Sequence, residues 1–162
     1  MAGGAFVPDP VLRPDTVYDS LDEHMAQAPD IGKAAIPMGM LLAWCVRMGI
    51  VSQAFEEAHE RSILRLRMEE IAGSELLVAA GGDLTSAMFS PRGCVFMQDH
   101  YADYPDLFRQ TFAVNGGAMY EVKESWDNYA ELAKHLTPLL LESAPQNQGL
   151  GLFTRLRKLF WH

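Results

Sequence analysis

Gln98-Asp99-His100-Tyr101-Ala102-Asp103-Tyr104 packs two carboxylates, an imidazole and two phenols into seven residues. Asp99 or Asp103 could orient His100 as a general base, which would suit a small hydrolase. Two features weigh against that chemistry. Adjacent residues do not share a helical face, and no serine or cysteine nucleophile stands at a defining spacing. Cys94 is close in sequence, yet nothing around it would lower a thiol pKa. The same residue types suit a protein-contact surface, where rigid aromatic rings give binding area at small entropic cost.

Other candidates are weaker. Glu56-x-x-His59 has the i, i+3 spacing that places a carboxylate and an imidazole on one helical face. Di-iron bundles use that pair twice with two further glutamates, and only one copy occurs here. An acidic surface helix carrying Glu56, Glu57 and Glu60 is the simpler reading. Gly81-Gly82-Asp83 and Asn115-Gly116-Gly117 are isolated turns without the strand-then-helix setting of a phosphate loop. Arg65 and Arg67 stand beside acids as a solvated face. Two cysteines, Cys45 and Cys94, make neither a disulfide framework nor a zinc site, and a reducing cytoplasm is the default. We therefore expect no catalytic residue, no metal and no cofactor.

The elements that must position these residues can be read from periodicity. Ala34 to Val46 (AAIPMGMLLAWCV) is the most apolar stretch, with thirteen residues against the roughly 20 that a membrane span needs. Its place thirty residues in, behind an acidic segment, does not suit a signal peptide. It reads as a buried helix over about Lys33–Met48, with Pro37 in its first turn and Gly49 ending it. Ile36, Met40, Trp44 and Met48 form its stripe. Ser52 should cap a second helix running to about Glu70, with Leu64, Met68 and Ile71 on its buried side. A helix over Ser74–Ala80 and a polar connection over Asp83–Ser90 follow. Two short helices broken near Pro105 come next, then a lone strand over Met119–Lys123. Ser125 should cap a last helix of about eighteen residues, carrying Trp126, Tyr129, Leu132 and Leu136. Before all of these, Ser20-Leu-Asp-Glu23 has the capping-box pattern of a helix start.

These readings give an all-α or α-dominated single domain, with room for one short strand pair. Residues 1–16 are an irregular Pro/Gly-rich segment, 17–142 the helical core domain, 143–151 a linker, and 152–162 a basic amphipathic C-terminal helix. The 162 residues carry 21 acids and 13 bases, net −8, a balance that argues against nucleic-acid binding. Without residues 151–162 the charge would be −11. That basic end could dock on its own acidic body, enter a partner groove or touch a membrane surface. With only three basic residues over three turns, membrane attachment would be weak.

Several short runs recur in a recognisable order. They are Ile36-Pro37-x-Gly39-Met40-Leu41-Leu42-Ala43-Trp44, Gly49-x-x-Ser52, Gly93-x-x-Phe96 leading to Tyr101 and Asp103-Tyr104, and Tyr120-Glu-Val-x-x-Ser125-Trp126-x-Asn128-Tyr129. Over roughly residues 17–140 the chain resembles an uncharacterised family of small acidic bacterial proteins. These are similar to the stand-alone cytoplasmic immunity proteins that accompany secreted toxins in contact-dependent competition. The resemblance implies a binding protein that neutralises a cognate toxin by occluding its active site. The proline-rich start and basic tail depart from the pattern. An acidic, tyrosine-bearing face would cover a basic toxin cleft, with Asp99, His100, Tyr101, Asp103, Tyr104 and Asp106 as one patch and Glu56, Glu57 and Glu60 as a second. The alternative is an adaptor or chaperone for a secretion cargo that contacts a partner or membrane through the C-terminal helix. Oligomeric state is not legible.

Overall fold

The computed structural model describes residues 15–142, so most of the N-terminal segment, the linker at 143–151 and the helix expected at 152–162 lie outside the described residues. Within them the chain is α-dominated with one two-stranded antiparallel sheet. Strand β1 (Val17–Ser20) leads into α1 (Leu21–His24), and α2 (Ile31–Arg47) is the central helix. Then come α3 (Gln53–Ala58), α4 (Glu60–Arg67), α5 (Gly73–Ala79) and strand β2 (Asp83–Thr85). The chain finishes with α6 (Pro91–His100), α7 (Tyr104–Phe112) and α8 (Trp126–Glu142). Single 3-10 turns occupy Ser86–Met88, Tyr101–Asp103 and Gly116–Glu121.

The apolar run does form the buried centre: twelve of the seventeen α2 residues are buried, and Trp44 is 1% exposed with its ring 4.9 Å from that of Phe96. Its start differs from the sequence reading. Asp30 caps the helix by accepting a 2.8 Å hydrogen bond from the Lys33 amide, so Pro37 falls mid-helix and not in the first turn. Proline there removes one backbone hydrogen bond at a cost of about 3 kcal/mol, a loss that burial of the surrounding turns outweighs. Gly49, at φ 70°, terminates the helix as expected.

Ser52 caps α3 through a 3.1 Å bond from the Phe55 amide, but the expected single helix to Glu70 is two. His59, at φ −123° and ψ 25°, breaks it and resets the helical phase. Ile63 and Leu66 therefore face the core while Leu64 and Met68 are 56% and 61% exposed, the reverse of the expected face; Ile71 is buried as read. The lone strand expected over Met119–Lys123 is replaced by the 3-10 turn at Gly116–Glu121. The polar connection after Gly82 contains β2, which pairs with β1.

Two glycines set the closest helix crossing. A Cβ on Gly39 of α2 would lie 2.3 Å from the Ser74 nitrogen, and one on Gly73 would lie 1.9 Å from the Gly39 oxygen. Helices α2 and α5 therefore meet backbone to backbone, which no larger residue would permit.

Candidate functional site: a buried aspartate behind an open groove

Asp19 is the one buried charged side chain among the described residues. Strand alternation alone would put Val17 and Asp19 on the same face of β1. Instead the register against β2 slips between them, with Val17 opposite Thr85 and Asp19 opposite Leu84. The slip leaves Val17 56% exposed and turns Asp19 inward, as bulges commonly re-aim a side chain.

There the carboxylate is held on both oxygens. The Ser20 amide donates to Oδ1 at 2.8 Å, and Oδ2 takes His24 Nε2 at 2.7 Å and the Tyr101 hydroxyl. The other ring nitrogen of His24, Nδ1, lies 2.5 Å from the Tyr120 hydroxyl. An ionised carboxylate only accepts, so Nε2 carries a proton; in the neutral ring Tyr120 then donates to Nδ1. Burial opposes the Asp19 charge, but hydrogen bonds from His24 and Tyr101 outweigh it and hold the carboxyl below its ordinary range. Burial first, and the Asp19 charge next, raise both Tyr101 and Tyr120 and keep the phenols protonated. The cluster ties four pieces of chain together: β1, α1, the turn after α6 and the turn before α8.

Tyr101 has a second role. Its ring stacks on Tyr104, with centroids 5.8 Å apart, and lines a cavity of about 230 Å3. Most of the remaining wall is apolar: Leu41 of α2, Phe96 of α6, Leu107 of α7, and Leu136 and Leu139 of α8. His100, Asp103 and Tyr104 complete the lining. Tyr104 is 3% exposed, and its hydroxyl donates to the Pro37 carbonyl at 2.5 Å, pinning α7 to the middle of α2. Burial raises that phenol as well.

The sequence-derived candidates thus divide. Asp99, Asp103 and Asp106 are exposed on or beside the turn between α6 and α7. His100 is half-buried at the groove, its ring 4.9 Å from Phe96. Tyr101 and Tyr104 do not present open phenols, because their hydroxyls are committed to Asp19 and Pro37. Asp106 is paired with Arg109 at 3.3 Å, and Glu56 with Arg67 at 3.0 Å. Exposed Glu57 accepts from Gln53 at 2.9 Å, and Glu60 is exposed at the start of α4. The Glu56-x-x-His59 spacing, read as part of an acidic surface helix, brings no pair together: Glu56 faces Arg67 and the His59 ring packs on Phe55 at 4.7 Å. Sequence reasoning missed Asp19 and His24 altogether. The only local signal was a His five residues after an Asp in a segment legible as strand or helix.

Among the described residues, no group of three or more His, Cys, Asp or Glu side chains is placed to hold a metal ion. Cys45 and Cys94 are both free thiols, Cys45 being fully buried. No helix among the described residues is long and apolar enough to cross a membrane.

A family model described as a domain of unknown function (DUF7832) matches residues 17–136, from β1 into α8 and across the whole Asp19 cluster. No curated protein and no solved structure matches the chain.

Proposed function

The chain belongs to the DUF7832 family, and from that premise we propose that it is a protein-binding module: a cytoplasmic immunity protein that neutralises a cognate secreted bacterial toxin by covering a basic active-site cleft. One observation carries this reading. Asp103 is exposed and lines a largely apolar groove, Asp99 is exposed one residue before the lining residue His100, and neither carboxylate forms an ion pair among the described residues. A carboxylate already paired with arginine contributes little external field, so Glu56 and Asp106 drop behind Asp99, Asp103, Glu57 and Glu60 as attractors. The described residues carry twenty acids against nine bases, which adds long-range attraction for a cationic surface. Such steering acts mainly on the association rate, while apolar contacts around the groove set the dissociation rate.

The test is stopped-flow association with the basic toxin domain encoded by the adjacent gene. Association should be fast at low salt and slow steeply by about 0.3 M, where screening shortens the reach of surface charge. Asp99→Lys with Asp103→Lys should slow it about tenfold, within the usual range of electrostatic steering. Absence of a complex at low salt, or a rate indifferent to both salt and charge reversal, would sink the proposal.

A further inference from the structure

We infer that the groove bounded by Tyr101, Asp103, Leu107, Leu136 and Leu139 seats one arginine side chain of the basic partner, its methylenes against the leucines and its guanidinium on the Tyr101 ring and the Asp103 carboxylate. This deepens the binding role proposed above and rests on it, but the preference of the groove for a guanidinium is measurable without the partner.

The chain already holds one guanidinium in this manner. Arg47 lies 4.5 Å from the ring centroid of Trp126 and 5.1 Å from that of Tyr129, and it donates to Glu69 at 3.2 Å. Those two rings stand three residues apart on α8, with centroids separated by 5.3 Å. Tyr101 and Tyr104 repeat the spacing with centroids separated by 5.8 Å, and Asp103 stands between them in the sequence. This second set has its rings and its carboxylate, but no Lys or Arg among the described residues pairs with Asp103. Lys134 of α8 is held by Glu131 at 2.7 Å, and Arg109 of α7 by Asp106 at 3.3 Å. Nor is the carboxylate spent on helix capping. Asp103 occupies the N-cap position of α7, yet its side chain accepts no capping hydrogen bond.

Size and polarity narrow the occupant. The cavity, at about 230 Å3, exceeds the roughly 150 Å3 that admits benzene and falls short of the roughly 300–1,000 Å3 of drug-sized sites, so it suits one large side chain. Leu107 lies one turn after Asp103 on the same face of α7, which puts apolar wall and carboxylate side by side. The hydroxyls of Tyr101 and Tyr104 are committed to Asp19 and the Pro37 carbonyl, and the His100 ring packs on Phe96 at 4.9 Å. A neutral side chain would cover Asp103 without a partner for its charge, which desolvation penalises. Lysine would bring a charge, but its ammonium is more strongly hydrated and has no flat face to stack on a ring. A guanidinium stacks on the phenol and meets a carboxylate with two parallel hydrogen bonds.

Titration of the full chain with n-butylguanidinium chloride, followed by amide and leucine-methyl chemical shifts, tests the site. The shifts should saturate in the millimolar range, as befits so small a ligand, and should centre on Asp103, Leu107, Leu136 and Leu139. n-Butylammonium should bind about threefold more weakly and n-butanol about tenfold more weakly. Asp103→Asn, a change at an exposed position, should weaken the guanidinium about fivefold. Binding of n-butanol or n-butylammonium as tight as that of the guanidinium, or shifts centred elsewhere, overturns the inference. In the complex with the basic toxin domain, changing its arginines to lysine one at a time should reveal one whose loss speeds dissociation about tenfold, but only about twofold when the partner is the Asp103→Asn chain. Absence of such an arginine also overturns it. If no complex forms at low salt, the functional reading fails and takes the partner arginine with it; a complex whose groove ignores the guanidinium sinks the arginine site alone.

Discussion

Replacing Gly39 by alanine should destabilise the domain, even though alanine is the better helix residue by about 1 kcal/mol. The new Cβ would lie 2.3 Å from the Ser74 nitrogen and 2.7 Å from the Gly73 carbonyl carbon. Both atoms are main chain, so neither can rotate aside. Restoring ordinary contact requires α5 to retreat from α2 by about 1 Å. A gap of about 0.5–1 Å forfeits a quarter to a half of each dispersion well, and a buried leucine makes about 40–60 contacts of about 0.1–0.2 kcal/mol. Leu76 and Leu77 of α5 are fully buried. If about half of their contacts face α2, the retreat costs about 2–4 kcal/mol. The gain in propensity returns at most about 1, leaving a net loss of about 1–3 kcal/mol. With a urea m-value near 2 kcal/mol/M, the midpoint should fall by about 0.5–1.5 M. Gly73→Ala should cost at least as much, since its Cβ would sit 1.9 Å from the Gly39 oxygen. Gly117→Ala is the control: its nearest neighbour would be 3.7 Å away, and its midpoint should hardly move. A Gly39→Ala protein as stable as the parent, at an unchanged m-value, would refute the backbone-contact argument.

Two further outcomes follow from Asp19 and the half-buried Glu124. Asp19→Asn should cost about 2–3 kcal/mol at pH 7, because hydrogen bonds to a buried charge are the stronger kind. The Asp19 pKa is lowered in the folded chain, so its contribution is fully present above the unfolded value of about 3.9 and is lost as pH falls through the folded value. Urea midpoints of parent and variant should therefore converge below about pH 4; a gap of constant size from pH 7 to pH 3 would refute this. Glu124 behaves in the opposite sense. Burial raises its pKa despite the 2.9 Å bond it accepts from the Ser74 amide. Its folded form is favoured at low pH and loses that advantage as pH rises through the raised value. Glu124→Gln keeps an acceptor for Ser74 without the partly desolvated charge, so it should match the parent near pH 4 and be more stable by up to about 1 kcal/mol at pH 8. A variant weaker than the parent at pH 8 would show that the positive end of α5 outweighs desolvation.

Local signals located most elements. Ser52 and Ser125 cap helices through the amides of Phe55 and Asn128, three residues on in each case. Gly49 ends α2 because it tolerates a positive φ. Failures cluster where a distant contact decided the outcome. The break at His59 and the 3-10 turn at Gly116–Glu121 contain no proline to announce them. At the site, the cluster at Asp99–Asp106 drew attention through its residue types. Whether each phenol was open or committed depended on Asp19 and Pro37, 82 and 67 residues away in the chain.

The amino-acid sequence by itself determined a helical domain centred on the run around Trp44, with a net negative charge, because helical periodicity, caps and charge balance are properties of neighbouring residues. Only the tertiary structure decided that Gly39 meets Gly73, that Asp19 gathers His24 and Tyr101, and that Tyr101 walls a groove between α6, α7 and α8. Those facts join residues from 5 to 82 positions apart, and no local pattern specifies which distant backbone or hydroxyl will close on them. The strand slip that turns Asp19 inward belongs to the same class, since register exists only between two strands.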